Sequence, residues 1–224
     1  MNLVVLGATG RTGRLVVEQA LAAGHTVTAL VRSPEKLTTT HANLRVVTGQ
    51  ATDTSSVSRA LQGADAVIST LGGNGSVIAD STRAIVAAAR EAGVRRVVVL
   101  STFAAERNRL GAGTRLLTGI GMGAMLKDKS VGEEMLRRSD LEWTIAYASI
   151  LSDGPAGGSV EVLPKEARRR MSERISRADV AAWMVQAATS VEHSRRGVGI
   201  TGSTRTAERS DVELTATANS PHRS

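Results

Sequence analysis

Residues 2–23 read NLVVLGATGRTGRLVVEQALAA, and the fold turns on how this stretch is divided. Asn2–Leu6 is a short apolar run with the composition of a strand. Thr12–Ala23 places Leu15, Val16 and Gln19–Ala20 on one face of a helix that Gly24 ends. Between them lies Gly7-Ala8-Thr9-Gly10-Arg11-Thr12-Gly13. Glycines at a strand-to-helix junction permit a tight turn and let the backbone approach a pyrophosphate closely, its charge stabilised at the helix N-terminus. A glycine triplet alone is weak evidence. Here the first strand, the turn, the helix and a second strand at Thr26–Val31 follow one another at the spacing of a dinucleotide-binding unit.

The same alternation continues along the chain. Leu44–Val47, Ala66–Thr70 and Arg96–Ser101 read as further strands, with helices at Thr54–Leu61 and at Ser76–Glu91, the latter closed by Gly93. A helix at Lys127–Arg138, a strand at Trp143–Ala146, a helix at Arg177–Ala188 and a strand at Gly197–Thr201 follow. Near-continuous apolar strands alternating with helices predict an α/β fold, a parallel sheet with helices on both faces. Ser176 with Asp179 three residues on is a capping-box-like start for the last helix. Two stretches depart from the rhythm. Phe103–Gly123 holds five glycines without a clean period and reads as a long functional loop. Residues 203–224 are polar and read as a disordered tail, leaving 1–202 as a single domain.

Composition narrows the function classes. A chain of 224 residues and 23.4 kDa has room for one domain burying roughly 70% of its unfolded surface. No run approaches the roughly 18 unbroken apolar residues of a spanning helix, and the N-terminus reads as a strand rather than a signal peptide. Without cysteine there is no disulfide, thiolate nucleophile or cysteine-held metal, which fits a cytoplasmic location. The net charge is +7, but aromatics are 2% of the chain, too few for base stacking, so no nucleic acid is expected. The basic run KEARRRMSERISR, 165–177, is broken by Glu166 and Glu173; it reads as a solvated face or as a phosphate- or partner-binding patch. The four histidines have no metal-site spacing, and no metal is expected.

The end of the second strand discriminates between dinucleotides. A chain selecting NAD places a carboxylate there for the ribose hydroxyls. This one reads Val31-Arg32-Ser33-Pro34-Glu35-Lys36. Arg32 offers a fork of donors suited to a 2′-phosphate, with Ser33, Arg11 and Lys36 placed to assist, so NADPH (NADP+) is the expected cofactor.

Taken together, GATGRTG, VTALVRSPEKL, ADAVISTLGG, VRRVVVLST, EEMLRRSDLEWTI and ISRADVA resemble the atypical short-chain dehydrogenase/reductases, in the NAD(P)H-binding, NmrA-like branch that includes biliverdin-IXβ/flavin reductase. The resemblance covers residues 1–202. It implies a Rossmann-type doubly wound parallel sheet with a small C-terminal substrate region, built mainly from 103–123 and 147–175. It also implies that Thr9, Thr70, Leu71 and Gly72 lie along the cofactor, that Ser101 and Thr102 face the nicotinamide, and that Lys129 holds the nicotinamide ribose. Gln50 stands where relatives often have Asp, and either contacts adenine or caps its loop.

The departures bear on chemistry. Carbonyl-reducing members of the broader superfamily carry a Tyr four residues before the Lys, which puts both on one helix face so that the ammonium lowers the phenol pKa. Four residues before Lys129 this chain has Met125. Its single tyrosine, Tyr147, ends the strand in WTIAYASIL, where relatives commonly read Arg-Pro; it is a reserve acid or a pocket wall. The leading expectation is an NADPH-dependent reductase of a small planar or conjugated acceptor: a flavin, quinone, tetrapyrrole or natural-product-like ketone. The cofactor carries that chemistry and the protein positions the reactants. The alternatives are an NmrA-like redox sensor that binds NADP(H) without turnover, and a non-redox isomerase or cyclase on the same fold. The partner is a small-molecule substrate, not a membrane, and the chain is a monomer or homodimer.

Overall fold

Strands buried on both faces need apolar side chains at every position, and the sequence supplies them. In the first strand Leu3 and Val5 point to one layer while Val4 and Leu6 point to the other, all fully buried. The computed structural model describes residues 1–73, 75–106, 110–167 and 172–203, without the side chains of 112–122. The tail expected at 203–224 lies, beyond Ser203, outside the described residues, as do parts of the expected substrate region.

In chain order the elements are β1 (Asn2–Leu6), α1 (Arg11–Ala22), β2 (Thr26–Val31), β3 (Leu44–Thr48), α2 (Thr54–Leu61), β4 (Ala66–Ser69), α3 (Val77–Ala92) and β5 (Arg96–Thr102). There follow α4 (Ala112–Arg138), β6 (Glu142–Ala148), β7 (Ile150–Ser152), β8 (Val160–Leu163), β9 (Arg174–Ser176), α5 (Arg177–Thr189) and β10 (Arg196–Gly202). Eight strands form one sheet in the order β3-β2-β1-β4-β5-β6-β10-β8. Seven run parallel; β8 pairs antiparallel with β10 at the edge, Gly199 opposite Leu163. The chain reverses its direction of travel across the sheet between β1 and β4, and in such sheets ligands bind beyond the carboxyl ends of the strands at that point. This is the Rossmann-type doubly wound architecture.

The two helical layers have separate cores. On one side α1 and α5 bury Val16, Ala20, Val180 and Met184 against the sheet; on the other α2, α3 and α4 bury Val57, Ile85 and Leu136. Helix ends are satisfied locally. Asp53 caps α2 by accepting from the Ser56 N–H at 2.9 Å, and Gly93 ends α3 in the left-handed conformation with φ +70°. The Ser176–Asp179 pair caps α5 in the expected manner, the Asp179 N–H donating to Ser176 Oγ at 3.0 Å. The start of α3 is capped from outside: the Asp128 carboxylate, on α4, accepts from the N–H groups of Ile78 and Ala79, both at 2.9 Å.

Three features differ from the sequence reading. Phe103–Gly123 is not one loop: a short 3-10 turn at Phe103–Ala105 is followed by α4, whose 27 residues begin at Ala112. Glycines at 113, 119, 121 and 123 erase the apolar period there, so the helical signal first becomes visible near Lys127. The short strands β7 and β9, which pair as a separate two-stranded sheet, and the edge strand β8 were not foreseen. With three to four residues each they are too short for alternation to declare itself.

Candidate active site

The glycine turn is fixed by crowding. Gly7 has φ +85°, and a Cβ on it would stand 2.8 Å from Thr70 Oγ1; a Cβ on Gly13 would overlap the Gly7 carbonyl oxygen. The Gly10 N–H donates to Gly7 O at 2.9 Å, closing the turn so that α1 starts directly against the end of β1. Its first turn carries no acidic residue, so the positive end of the helix stays available to an anion. Thr12 and Gly13 are buried as α1 packs.

Beside this turn opens a cleft of about 490 Å³. Gly7, Thr9 and Gly10 form one wall, Val31 and Arg32 another; Gln50 with its neighbours 49–52 and the segment Thr70–Gly73 close it. Arg32 is exposed, and Ser33 follows it as the N-cap of a 3-10 turn, Pro34–Lys36. Arg14, which the sequence reading passed over, reaches across from α1 and donates from Nη2 to the Lys36 carbonyl at 3.1 Å, pinning that turn. Arg11 is turned outward. It pairs with Asp153, whose other oxygen accepts from Arg177 Nη1 at 2.8 Å, so the loop after β7 is tied to the starts of both α1 and α5.

A second group of residues gathers at the ends of β5 and β6. Ser101 and Tyr147 are register partners on these strands. Glu133, one turn beyond Lys129 on α4, lies between them: Ser101 Oγ donates to Oε1 at 2.6 Å and the Tyr147 hydroxyl donates to Oε2 at 2.5 Å. Arg137 Nη2 donates both to Glu133 Oε2 at 2.9 Å and to the Tyr147 oxygen at 2.5 Å. The sequence shows Glu133–Arg137 as an ordinary i, i+4 pair; the structure buries Glu133 to 7% exposure, where a carboxylate without partners would be costly. Burial and the Glu133 carboxylate push the Tyr147 phenol far up, so it stays protonated. Burial also lowers the Lys129 ammonium from its ordinary value, against the pull of Glu133 and Asp128. Lys129 Nζ finds the Leu100 carbonyl at 3.4 Å. Thr102 caps the 3-10 turn that follows β5.

The structure therefore places Gly7, Thr9, Gly10, Arg32, Gln50, Thr70, Leu71 and Gly72 around one cleft. It places Ser101, Lys129 and Tyr147 in a neighbouring buried cluster that does not line that cleft among the described residues. Ring placement explains where Tyr147 points: it lies over Gly197 of β10, where an added Cβ would meet Cε2 at 2.8 Å. The sheet face of β6, β10 and β8 beside α4 is open there, forming a groove of about 1040 Å³. Glu133, Arg137 and Arg14 were missed because a charged residue at helical spacing reads as surface; what the spacing hides is the partner each finds on another element, Ser101 and Tyr147 for Glu133, Tyr147 for Arg137 and the Lys36 carbonyl for Arg14.

A glycine turn at the switch point of a parallel sheet, with a cation rather than a carboxylate after β2, defines a dinucleotide-binding protein of the Rossmann type. The chain belongs to the NAD(P)H-binding family, whose sequence profile matches residues 7–190. It is 31% identical over 205 residues to (4-alkanoyl-5-oxo-2,5-dihydrofuran-3-yl)methyl phosphate reductase of Streptomyces griseus, covering 89% of this chain and 67% of that protein. It is 32% identical over 171 residues to 4-hydroxy-tetrahydrodipicolinate reductase of Natronomonas pharaonis, covering 73% of this chain and 63% of that protein. Among solved structures it is similar to ChuY, an anaerobilin reductase from Escherichia coli O157:H7, with 25% identity and a TM-score of 0.77 over 89% of this chain and 96% of that one.

Proposed function

We propose that the protein is an NADPH-dependent reductase that transfers hydride to a small planar or conjugated acceptor. The observation that carries the reading is that, among the described residues, no free hydroxyl acid stands where carbonyl reducers have one. Met125 stands four residues before Lys129, and the Tyr147 hydroxyl is engaged by Glu133 and Arg137. Hydride transfer without a protein acid suits an acceptor that delocalises the incoming electron pair. The names of two similar proteins support this, one acting on a phosphate ester of an oxo-dihydrofuran and one on anaerobilin. Arg32 supports the choice of NADPH over NADH, and the glycine turn with the positive end of α1 supports the seat of the pyrophosphate. When bound, the cofactor supplies the hydride. The chain's part is to hold the dinucleotide along Thr70–Gly73, to fix the nicotinamide end near Ser101 and Lys129, and to shape the acceptor pocket.

The test is NADPH oxidation followed at 340 nm, with nucleotide binding measured separately by titration. A flavin, a naphthoquinone and a tetrapyrrole are compared with a simple ketone. Turnover of a planar acceptor is the expected result. Tight NADPH binding with no turnover of any acceptor overturns the reading and points to a sensor in the NmrA-like manner.

A further inference from the structure

We infer that Glu133 is a positioning residue that decides which acceptors the protein reduces, by holding the hydroxyl hydrogens of Ser101 and Tyr147 away from the acceptor; this rests on the reductase reading above. An ionised carboxylate only accepts hydrogen bonds, whereas a hydroxyl has a single hydrogen to give. Ser101 spends its hydrogen on Oε1 at 2.6 Å and Tyr147 spends its own on Oε2 at 2.5 Å. The Tyr147 oxygen also accepts from Arg137, which returns to the same carboxylate at 2.9 Å and closes the ring of contacts. All three groups bound to one another through Glu133 are well shielded: Ser101, Tyr147 and Glu133 expose 5%, 4% and 7%. Lys129 is directed at the Leu100 carbonyl.

Held this way, Ser101 offers lone pairs and no proton. It suits a carboxamide N–H of a nicotinamide and does nothing for an oxyanion. Hydride adds to the acceptor, the displaced π pair moves onto a conjugated oxygen or nitrogen, and the balancing proton comes from water. A quinone or flavin forms a weakly basic anion in that step. An isolated ketone forms an alkoxide, which is strongly basic and receives no hydrogen from Ser101 or Tyr147. The acceptor class thus follows from a carboxylate that never touches the acceptor. A purely structural ion pair would leave the choice of acceptor untouched.

Glu133→Gln separates the two. The amide must present N–H to one of its neighbours, so one hydroxyl turns to accept and its hydrogen is released. A single donor to a developing oxyanion is worth about 10²–10³ in rate in well-placed cases. We expect kcat/KM for a simple ketone, such as cyclohexanone, to rise at least tenfold relative to menadione in Glu133→Gln. NADPH titration and thermal denaturation are measured alongside. Met125→Tyr is the second variant: it installs a hydroxyl four residues before Lys129 without disturbing the buried carboxylate, and raises the same ratio if donor supply is what limits ketones. An unchanged ratio in both variants, or equal loss on both acceptors, overturns the role given to Glu133. So does a wild-type protein that reduces cyclohexanone as readily as menadione. NADPH binding without oxidation by any acceptor is a different pattern, and it overturns the reductase reading on which the inference stands.

Discussion

Gly13 shows how one missing side chain sets the cofactor seat. Because a Cβ there would overlap the Gly7 carbonyl oxygen and stand 2.8 Å from Thr70 Oγ1, α1 approaches β1 and β4 only while position 13 is bare. The obstacle is backbone, which cannot swing aside as a flexible side chain does. Gly13→Ala must therefore push the start of α1 away from the turn, and it is expected to lower the midpoint of thermal unfolding and to weaken NADPH and NADH together. Calorimetry and nucleotide titration check this; a variant with wild-type affinity for both nucleotides would show that the turn tolerates the shift. Tyr147 is the opposite case, a large side chain given room by Gly197 and then anchored through its hydroxyl. The sequence displayed both glycines and the single tyrosine. What it withheld was the carboxylate that Tyr147 meets, since Glu133 comes from another element, 14 residues away in the chain.

At the scale of elements, caps decide two measurable properties. Asp53 caps α2 through Ser56 N–H and also accepts from the hydroxyls of Ser56 and Ser55, at 2.6 and 2.8 Å, and these bonds hold its carboxyl down to about 2. The folded value lies below the ordinary 3.8, so the cap's contribution is complete above pH 4 and is lost as the pH falls through 2. Denaturant titrations between pH 5 and 2 are expected to show stability dropping in that window, with a shallower drop in Asp53→Ala. Asp128 acts between elements, since α4 supplies the acceptor for the two N–H groups that begin α3. Asp128→Ala leaves both without a partner in a buried setting, and about 2 kcal/mol of unfolding free energy should go with them. A loss under 0.5 kcal/mol would mean that water takes over the cap. The same contrast explains which elements were legible. Strands β1, β2, β4 and β5 announce themselves because both faces are apolar, and α5 because its cap lies in its own sequence. The first half of α4 stayed hidden under its glycines, and the cap of α3 comes from Asp128, 50 residues beyond Ile78 and 49 beyond Ala79. Among site residues, the glycine turn and Arg32 were readable because their chemistry is local. The Ser101–Glu133–Tyr147 cluster depends on strand register and helix docking together.

For the whole molecule, the cofactor cleft is a junction rather than a feature of one unit. Its walls come from the turn after β1, the end of β2, the segment after β3 and Thr70–Gly73 with Val77, so one ligand bridges four separate parts of the chain. A ligand that binds only the folded state adds RT ln(1 + [L]/Kd), about 2.7 kcal/mol at a hundredfold excess over Kd. For a domain of this size that corresponds to a rise of roughly 5–10 °C in the unfolding midpoint. Arg32 is exposed and has no ion-pair partner among the described residues, so reversing its charge should leave the unliganded protein within about 0.5 kcal/mol of wild type. Its effect should appear with ligand. In Arg32→Glu the NADPH-induced rise is expected to shrink to that of NADH or below, since the new carboxylate repels a 2′-phosphate and is suited to accept from ribose hydroxyls. The NADH-induced rise is expected to persist or grow. Scanning calorimetry of wild type and variant, each with and without the two nucleotides, gives all four values. Equal loss of both increments would assign Arg32 to the shape of the cleft rather than to the choice of phosphate, and the preference for NADPH would then have to come from Arg11, Arg14 or Lys36.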